Sequence, residues 1–290
     1  MPPVLRLLRP HQWVKNLLLM VPLVLAHVLD EWTRVADVIV AILGFSLCAS
    51  AVYVVNDLVD VESDRAHPTK HRRPLAAGTV AAPLAKILAF VLVVSGLALG
   101  YAVSMSTLAW MGLYVVVTSL YSFWLKRLVI VDVVVLSGLY TLRLAAGAAA
   151  ADVSMSGWLA TFSLFFFTSL AFLKRYVELR DTVEREGRVI AGRGYHVGDA
   201  VFVAVTGVAL GFLAVLVFTL YLQSHDVRVL YTHPDVLWFV IPLVIYWVSR
   251  TWLVAWRGTM HDDPIVFAMR DIPSYVVFGL TAVILYVATL

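Results

Sequence analysis

The chain has 290 residues, of which 61% are hydrophobic and 14% charged, and its formal net charge is +3. A soluble domain is close to half apolar and a quarter charged, so this composition excludes an ordinary soluble enzyme, and nucleic acid is not an expected partner. The single Cys48 rules out an intrachain disulfide and offers no thiol set for a metal.

In chain order, apolar runs predict nine membrane-spanning helices, at about 14–29, 35–55, 82–103, 107–125, 128–151, 157–173, 199–223, 235–256 and 273–290. Each approaches the roughly 20 residues needed to cross a bilayer, and the short alternating strands of a barrel are missing. The first run is short and contains Pro22, which predicts a tilt or a break. Nothing between the runs is long enough to build its own core, so residues 1–290 read as one all-α, polytopic membrane domain. The basic start, Arg6 to Lys15, is not followed by a small-residue cleavage site, so no removable leader is expected.

Basic residues orient the bundle. Nineteen of the 22 Lys and Arg fall in the N-terminal segment and in alternate connections, while the opposite loops hold only Arg34 and Arg228 and one span holds Arg143. That asymmetry places the N-terminus and the long loops in the cytoplasm, in a cell inner membrane. For Lys126, Arg127, Arg185 and Arg188, anchoring that topology is a sufficient role.

The residues with chemistry sit on the same side. Arg9-Pro10-His11-Gln12-Trp13-Val14-Lys15-Asn16 reads as an interfacial segment, with Trp13 at headgroup depth. Its basic and amide groups either anchor the chain or hold a lipid phosphate. The second span then runs into Asn56-Asp57-Leu58-Val59-Asp60-Val61-Glu62-Ser63-Asp64. Offsets of 0, 3 and 7 put Asp57, Asp60 and Asp64 on one face of a continuing helix. Three like charges so placed repel unless a hard cation neutralises them, and Mg²⁺ usually takes one or two carboxylates plus substrate phosphate oxygens. His67, Pro68, Thr69, Lys70, His71, Arg72 and Arg73 follow, a basic cluster suited to a leaving diphosphate. The competing reading is a solvated loop of mixed charge, which leaves the helical spacing unexplained.

Later in the chain, Arg143 is an intramembrane charge, expected to face the interior. It reads as a phosphate contact, or as a structural bridge that could include Asp132 eleven residues earlier. Gly138 and Gly147 flank it and would permit close helix packing. The sixth span ends in Lys174-Arg175-Tyr176-Val177-Glu178-Leu179-Arg180-Asp181, where Lys174, Glu178 and Asp181 share a face. That face either holds phosphate and metal together or pairs internally. His261-Asp262-Asp263-Pro264, with Arg270-Asp271, is a third candidate contribution, and Asp263 before Pro264 also fits a helix start.

These motifs resemble the UbiA superfamily of intramembrane prenyltransferases. The resemblance rests on N-D-x-x-D-x-x-x-D, filled by Asn56, Asp57, Asp60 and Asp64, and on the nine-span layout, so it covers nearly the whole chain. It implies a helical bundle around a cytoplasm-facing cavity that opens sideways to a lipid, with the aspartates binding Mg²⁺ and a diphosphate. Most members carry a second motif, D-x-x-x-D, where this chain has Lys174-Arg175-Tyr176-Val177-Glu178. That departure, with Arg9 to Asn16, His67 to Arg73, Leu142-Arg143 with Gly147, and Ala268 to Asp271, is similar to the polyprenyl-phosphate phosphoribosyltransferase branch.

The branch resemblance implies transfer of a 5-phosphoribosyl group from phosphoribosyl pyrophosphate to a polyprenyl phosphate of decaprenyl type, in cell-wall biosynthesis. Asp57, Asp60 and Asp64 would hold the metal. Asn56, Lys70, Arg72, Arg73, Lys126, Arg143, Lys174, Arg175, Tyr176 and Glu178 would serve the donor phosphates, with Lys174 stabilising the departing charge. Arg9, Gln12, Lys15, Asn16 and Arg270 would hold the lipid phosphate. The alternative is prenyl transfer from a prenyl diphosphate to an aromatic or other small acceptor, for which Glu178, Asp181 and Glu184 are the local second carboxylate set. A transporter would distribute charge along a path through the membrane, which this sequence does not. Homo-oligomerisation stays open.

Overall fold

The computed structural model describes residues 2–66, 70–184, 193–260 and 263–290. His67, Pro68, Thr69, Arg185, Arg188, His261 and Asp262 lie outside the described residues. The α-helices are α1 (Pro3–Leu8), α2 (Val21–Leu25), α3 (Trp32–Val59), α4 (Val61–Ala66), α5 (Ala82–Val103), α6 (Met105–Phe123), α7 (Val131–Ala150), α8 (Gly157–Glu184), α9 (Ala200–Leu222), α10 (His225–Leu230), α11 (Val240–Trp256), α12 (Pro264–Ala268) and α13 (Ile272–Thr289). Among the described residues there is no β-strand.

Among the described residues, eight helices are long and apolar enough to cross a bilayer: α3, α5, α6, α7, α8 and α13, and α9 and α11 with the turns that precede them. Only 22% of the apolar window of α5 and 17% of that of α13 is buried, so their remaining surface needs a hydrocarbon solvent. The first expected span is different. Residues Pro10–Met20 form a 3₁₀ stretch, and only then does the short α2 begin. Pro22 is the physical reason. It has no N–H to continue a helix from the preceding turn, but it is well placed in the first turn of a new one.

The chain packs as two compact units, one formed by Met1–Phe123 with Leu142–Met155 and the other by Trp124–Thr141 with Ser156–Leu290. Helix α7 gives its first half to the second unit and its second half to the first. In the first unit, α3 lies against α5 through paired glycines. A Cβ on Gly44 would stand 2.8 Å from the Gly96 carbonyl, and one on Gly96 2.6 Å from Cys48 Sγ, so the close approach that fixes the line of α3 depends on both being glycine. Gly147 has the expected packing role, because a Cβ there would fall 2.1 Å from the Leu19 carbonyl oxygen. Gly138 does not, since no atom comes within 4 Å of its Cβ position. In the second unit, Gly207 of α9 receives the Trp252 ring of α11 and Phe172 of α8, and Trp252 Nε1 donates to Ser169 Oγ at 3.1 Å.

Candidate active site

The first cluster forms where α3 gives way to α4. The helix breaks at Asp60, the C-cap of α3, rather than continuing as the spacing predicts. Helical pairing nevertheless carries across the break, since the Asp60 amide donates to the Asn56 carbonyl at 2.9 Å and the Asp64 amide to the Asp60 carbonyl at 2.8 Å. Asp57 and Asp64 therefore keep a common face, and both are buried, while Asp60 is half-buried.

Two arginines close on that face. Arg73 Nη1 donates to Asp57 Oδ1 at 3.1 Å and to Asp64 Oδ2 at 2.8 Å, so one cationic nitrogen bridges both carboxylates. Arg9 Nη2 donates to Asp57 Oδ1 at 2.5 Å, and its guanidinium lies 5.0 Å from the centre of the Tyr53 ring. Arg9 has φ 51°, the left-handed region uncommon outside glycine, and this turns the chain from α1 into the 3₁₀ stretch. Both arginines keep a quarter or more of their side chains exposed, against 3% and 4% for the carboxylates. Arg9, expected beside a lipid phosphate, is thus placed on the aspartate cluster, and its sequence neighbourhood gave no signal of that. Asn56 turns toward α6, with its Nδ2 donating to Ser122 Oγ at 3.0 Å. Lys70 and Arg72 are exposed.

Among the described residues, no three His, Cys, Asp or Glu side chains lie together as a complete metal cage. The donor chemistry does fit Mg²⁺. Two buried, hard-oxygen carboxylates converge on a single positive charge, and Mg²⁺ commonly takes only one or two carboxylates, completing its shell with phosphate and water. The Arg73 nitrogen occupies the position of that charge.

Deeper in the same unit, Arg143 is buried and does not meet Asp132. Its Nε donates to Asn16 Oδ1 at 3.1 Å and its Nη2 to Tyr114 Oη at 3.2 Å, and its guanidinium lies over the Tyr114 and Phe45 rings at 4.9 and 5.6 Å. Asn16 Nδ2 in turn donates to Ser46 Oγ at 2.9 Å. Lys15 is buried and Gln12 half-buried. Trp13, expected at headgroup depth, donates its Nε1 to Ser50 Oγ at 3.0 Å and is tied to α3. The segment Arg9 to Asn16 is therefore packed into the first unit rather than lying on its surface.

The second unit separates what the sequence grouped. Lys174 Nζ donates to Asp263 Oδ2 at 2.8 Å, so it is Asp263, not Glu178 or Asp181, that holds it. Asp263 also caps α12, its Oδ1 accepting from the Ile265 amide at 3.2 Å, as its place before Pro264 predicts. Arg175 is fully buried and leaves no surface for the expected phosphate contact. Its Nε stands 3.0 Å from Asp132 Oδ2, and its Nη1 donates to Glu178. Arg193 joins them, 3.2 Å from Asp132 and 3.4 Å from Glu178. Tyr195 Oη donates to Asp132 Oδ1 at 2.7 Å and accepts from the Ile130 amide at 2.9 Å. Burial first, then the Asp132 carboxylate, pushes the Tyr195 hydroxyl pKa up, so it stays protonated as a donor. Tyr176 is buried and stacks on Trp256 at 5.8 Å between centroids. Lys126 is half-buried and Arg270 exposed. Sequence reasoning missed the Arg193 and Tyr195 contacts, which lie about 60 residues from Asp132 with no periodicity to link them.

This helical architecture is that of a multi-pass membrane protein. The chain matches the UbiA prenyltransferase family over residues 17–272, and it belongs to that family. It is a multi-pass membrane protein. It is 37% identical to the uncharacterized protein y4nM of Sinorhizobium fredii, over 95% of this chain and 54% of that protein. It is 34% identical to the nodulation protein NoeC of Azorhizobium caulinodans, over 92% and 87% of the two chains. It is 38% identical to the decaprenyl-phosphate phosphoribosyltransferase of Mycolicibacterium smegmatis, over 64% and 60%. The chain thus spans little more than half the length of two of these three relatives. Its fold matches that of a UbiA homolog from Archaeoglobus fulgidus bound to GPP and Mg²⁺, with a TM-score of 0.71 at 15% identity, over 98% of this chain and 99% of that one.

Proposed function

We propose that this chain transfers a 5-phosphoribosyl group from phosphoribosyl pyrophosphate to a polyprenyl phosphate, with Mg²⁺ as cofactor. The observation that carries the reading is the bridging of Asp57 and Asp64 by one Arg73 nitrogen, which marks a built position for positive charge at a helix end. The mycobacterial relative is named for this reaction, and Lys174 stands where most family members carry a second acidic motif.

In this reading the bond from ribosyl C1 to the diphosphate oxygen breaks, and a bond from C1 to a lipid phosphate oxygen forms. Asp57 and Asp64 would hold the metal, with Asp60 at the same helix end. Bound there, Mg²⁺ would neutralise the diphosphate and lower the cost of its departure. Arg73 and Arg9, with their exposed margins, have room to turn from carboxylate to phosphate and stabilise the leaving charge. Lys70 and Arg72 add to the field. The lipid phosphate is already anionic, so no general base is needed. Gln12, Lys15, Asn16 and Arg143 are the further phosphate-binding candidates of the same unit, with Arg143 held by Asn16 and Tyr114. Lys174 on Asp263 and the exposed Arg270 are the phosphate-binding candidates of the second unit. The basic asymmetry of the loops supports a cytoplasmic N-terminus in the inner membrane.

A prenyl donor is the second reading, favoured by the GPP and Mg²⁺ bound to the structurally similar Archaeoglobus protein. Purified chain offered labelled phosphoribosyl pyrophosphate with polyprenyl phosphate, in parallel with labelled prenyl diphosphate and an aromatic acid, separates the two. Label entering the polyprenyl phosphate fraction, and lost with a chelator, supports the proposal. Label entering only the aromatic acid ends it.

A further inference from the structure

A groove of about 640 Å³ runs between α9 and α11, well within the second unit. Its lining is apolar, with Ala204, Val208 and Phe212 from α9 and Val248, Trp252 and Trp256 from α11; Ser249 is the one polar exception besides the indole N–H groups. Trp252 spends its N–H on Ser169, so it offers no donor to an occupant.

The depth of the groove selects what fits. It covers residues 204–212 of α9 and 248–256 of α11, about 12 Å along each helix at 1.5 Å per residue. A bilayer core is about 30 Å thick, so the groove is close to one leaflet deep. A partner helix crossing the membrane would need a seat about twice as long, whereas a hydrocarbon chain from a lipid of one leaflet matches it.

The open end carries positive charge. Trp256 is largely exposed at the rim, where amphipathic rings favour the headgroup level. The next residue, Arg257, is exposed and ends α11. Arg180 of α8 donates to the carbonyls of Ala255 and Trp256, both at 2.8 Å, which brings a second guanidinium to the same end. Gly258 makes room for it, since a Cβ there would stand 2.4 Å from Arg180 Nη2.

We propose that this groove holds one acyl chain of an anionic membrane glycerophospholipid, with the lipid phosphate at Arg257. The site is independent of the transfer reaction and is tested without it. The 290-residue chain is reconstituted in vesicles of equal phosphatidylglycerol and phosphatidylcholine, released, and weighed intact by native mass spectrometry. The expected result is one retained phosphatidylglycerol per chain. Arg257→Gln is expected to lower the preference for phosphatidylglycerol about fivefold, the effect of one basic side chain at an anionic surface. Ala209→Trp, which fills the groove from an exposed position, is expected to abolish retention of either lipid while the melting temperature stays near that of the parent. Equal retention of the two lipids by the parent chain, an unchanged lipid ratio in Arg257→Gln, or full retention in a folded Ala209→Trp chain would overturn it, as would a dimer whose formation Ala209→Trp blocks.

Discussion

The two units each hold a cluster of carboxylates and arginines, and they use the same chemistry oppositely. In the first, Asp57 and Asp64 are buried but their partners Arg9 and Arg73 remain a quarter or more exposed. In the second, Asp132 and Arg175 are both at 0% exposure, closed in by Arg193, Glu178 and Tyr195. Asp132 and Arg175 have lost their water and are held by their ion pair, although Arg175 Nη2 is buried without a hydrogen-bond partner. A guanidinium with a quarter of its surface in solvent can turn from its carboxylate to a phosphate, provided another cation takes its place on the buried carboxylate. The contrast separates the cluster proposed to bind substrate from one whose contacts join helices.

The largest expected effect breaks the first cluster. Asp57→Ala or Asp64→Ala should lower transfer by on the order of 10² or more, with melting temperature little changed because Arg73 can turn to solvent. Initial rates with a melt of each variant check this, and near-normal turnover in either sinks the metal assignment.

Breaking the second cluster should do the reverse. Asp132→Ala strands Arg175 without its main counter-ion and should cost about 3–5 kcal/mol of stability. The double variant Asp132→Ala with Arg175→Met should recover part of that loss. A single variant that melts like the parent would show that the cluster is not structural.

A smaller effect tests the α11 terminus, where Arg180 caps carbonyls over Gly258. Gly258 has φ +77°, so Gly258→Ala should cost about 1–2 kcal/mol from the left-handed backbone and should also displace Arg180. Denaturation of the purified variant reads this directly.

The smallest concerns a third ion pair at the start of α13. Burial pushes the Asp271 carboxyl up, but hydrogen bonds from Arg250 and Ser274 outweigh it and leave its pKa below the ordinary value. Its contribution is therefore complete above about pH 4, the unfolded carboxylate value, and is lost as pH falls through the lower folded value. Melting curves taken down to that range should show an acid slope that Arg250→Gln flattens. An unchanged slope would assign it to other carboxylates.

Much of this was legible from local pattern. The long helices follow from unbroken apolar runs, and the shared face of Asp57 and Asp64 follows from a spacing of seven that survives the bend at Asp60. Asp263 could be read as a cap because its partner is two residues away. What was not legible lies at long range. A bridge from Arg143 to Asp132 is the alternative the sequence leaves open beside a phosphate contact, but side chains eleven residues apart on one rod cannot meet, and each has partners on other segments. Arg175 read as a substrate ligand because nothing in its neighbours reports burial. The first span read as a helix because hydropathy is blind to 3₁₀ geometry.

The sequence by itself determined that this chain lives in a bilayer, that its charges gather at one end of its helices, and that three aspartates recur at helical spacing there. These are consequences of composition and periodicity, which act over a few turns. Tertiary structure alone decided which of those charges keep contact with solvent and which are sealed in. Burial is set by packing between segments far apart in the chain, and burial determines whether an ion pair can open for a substrate.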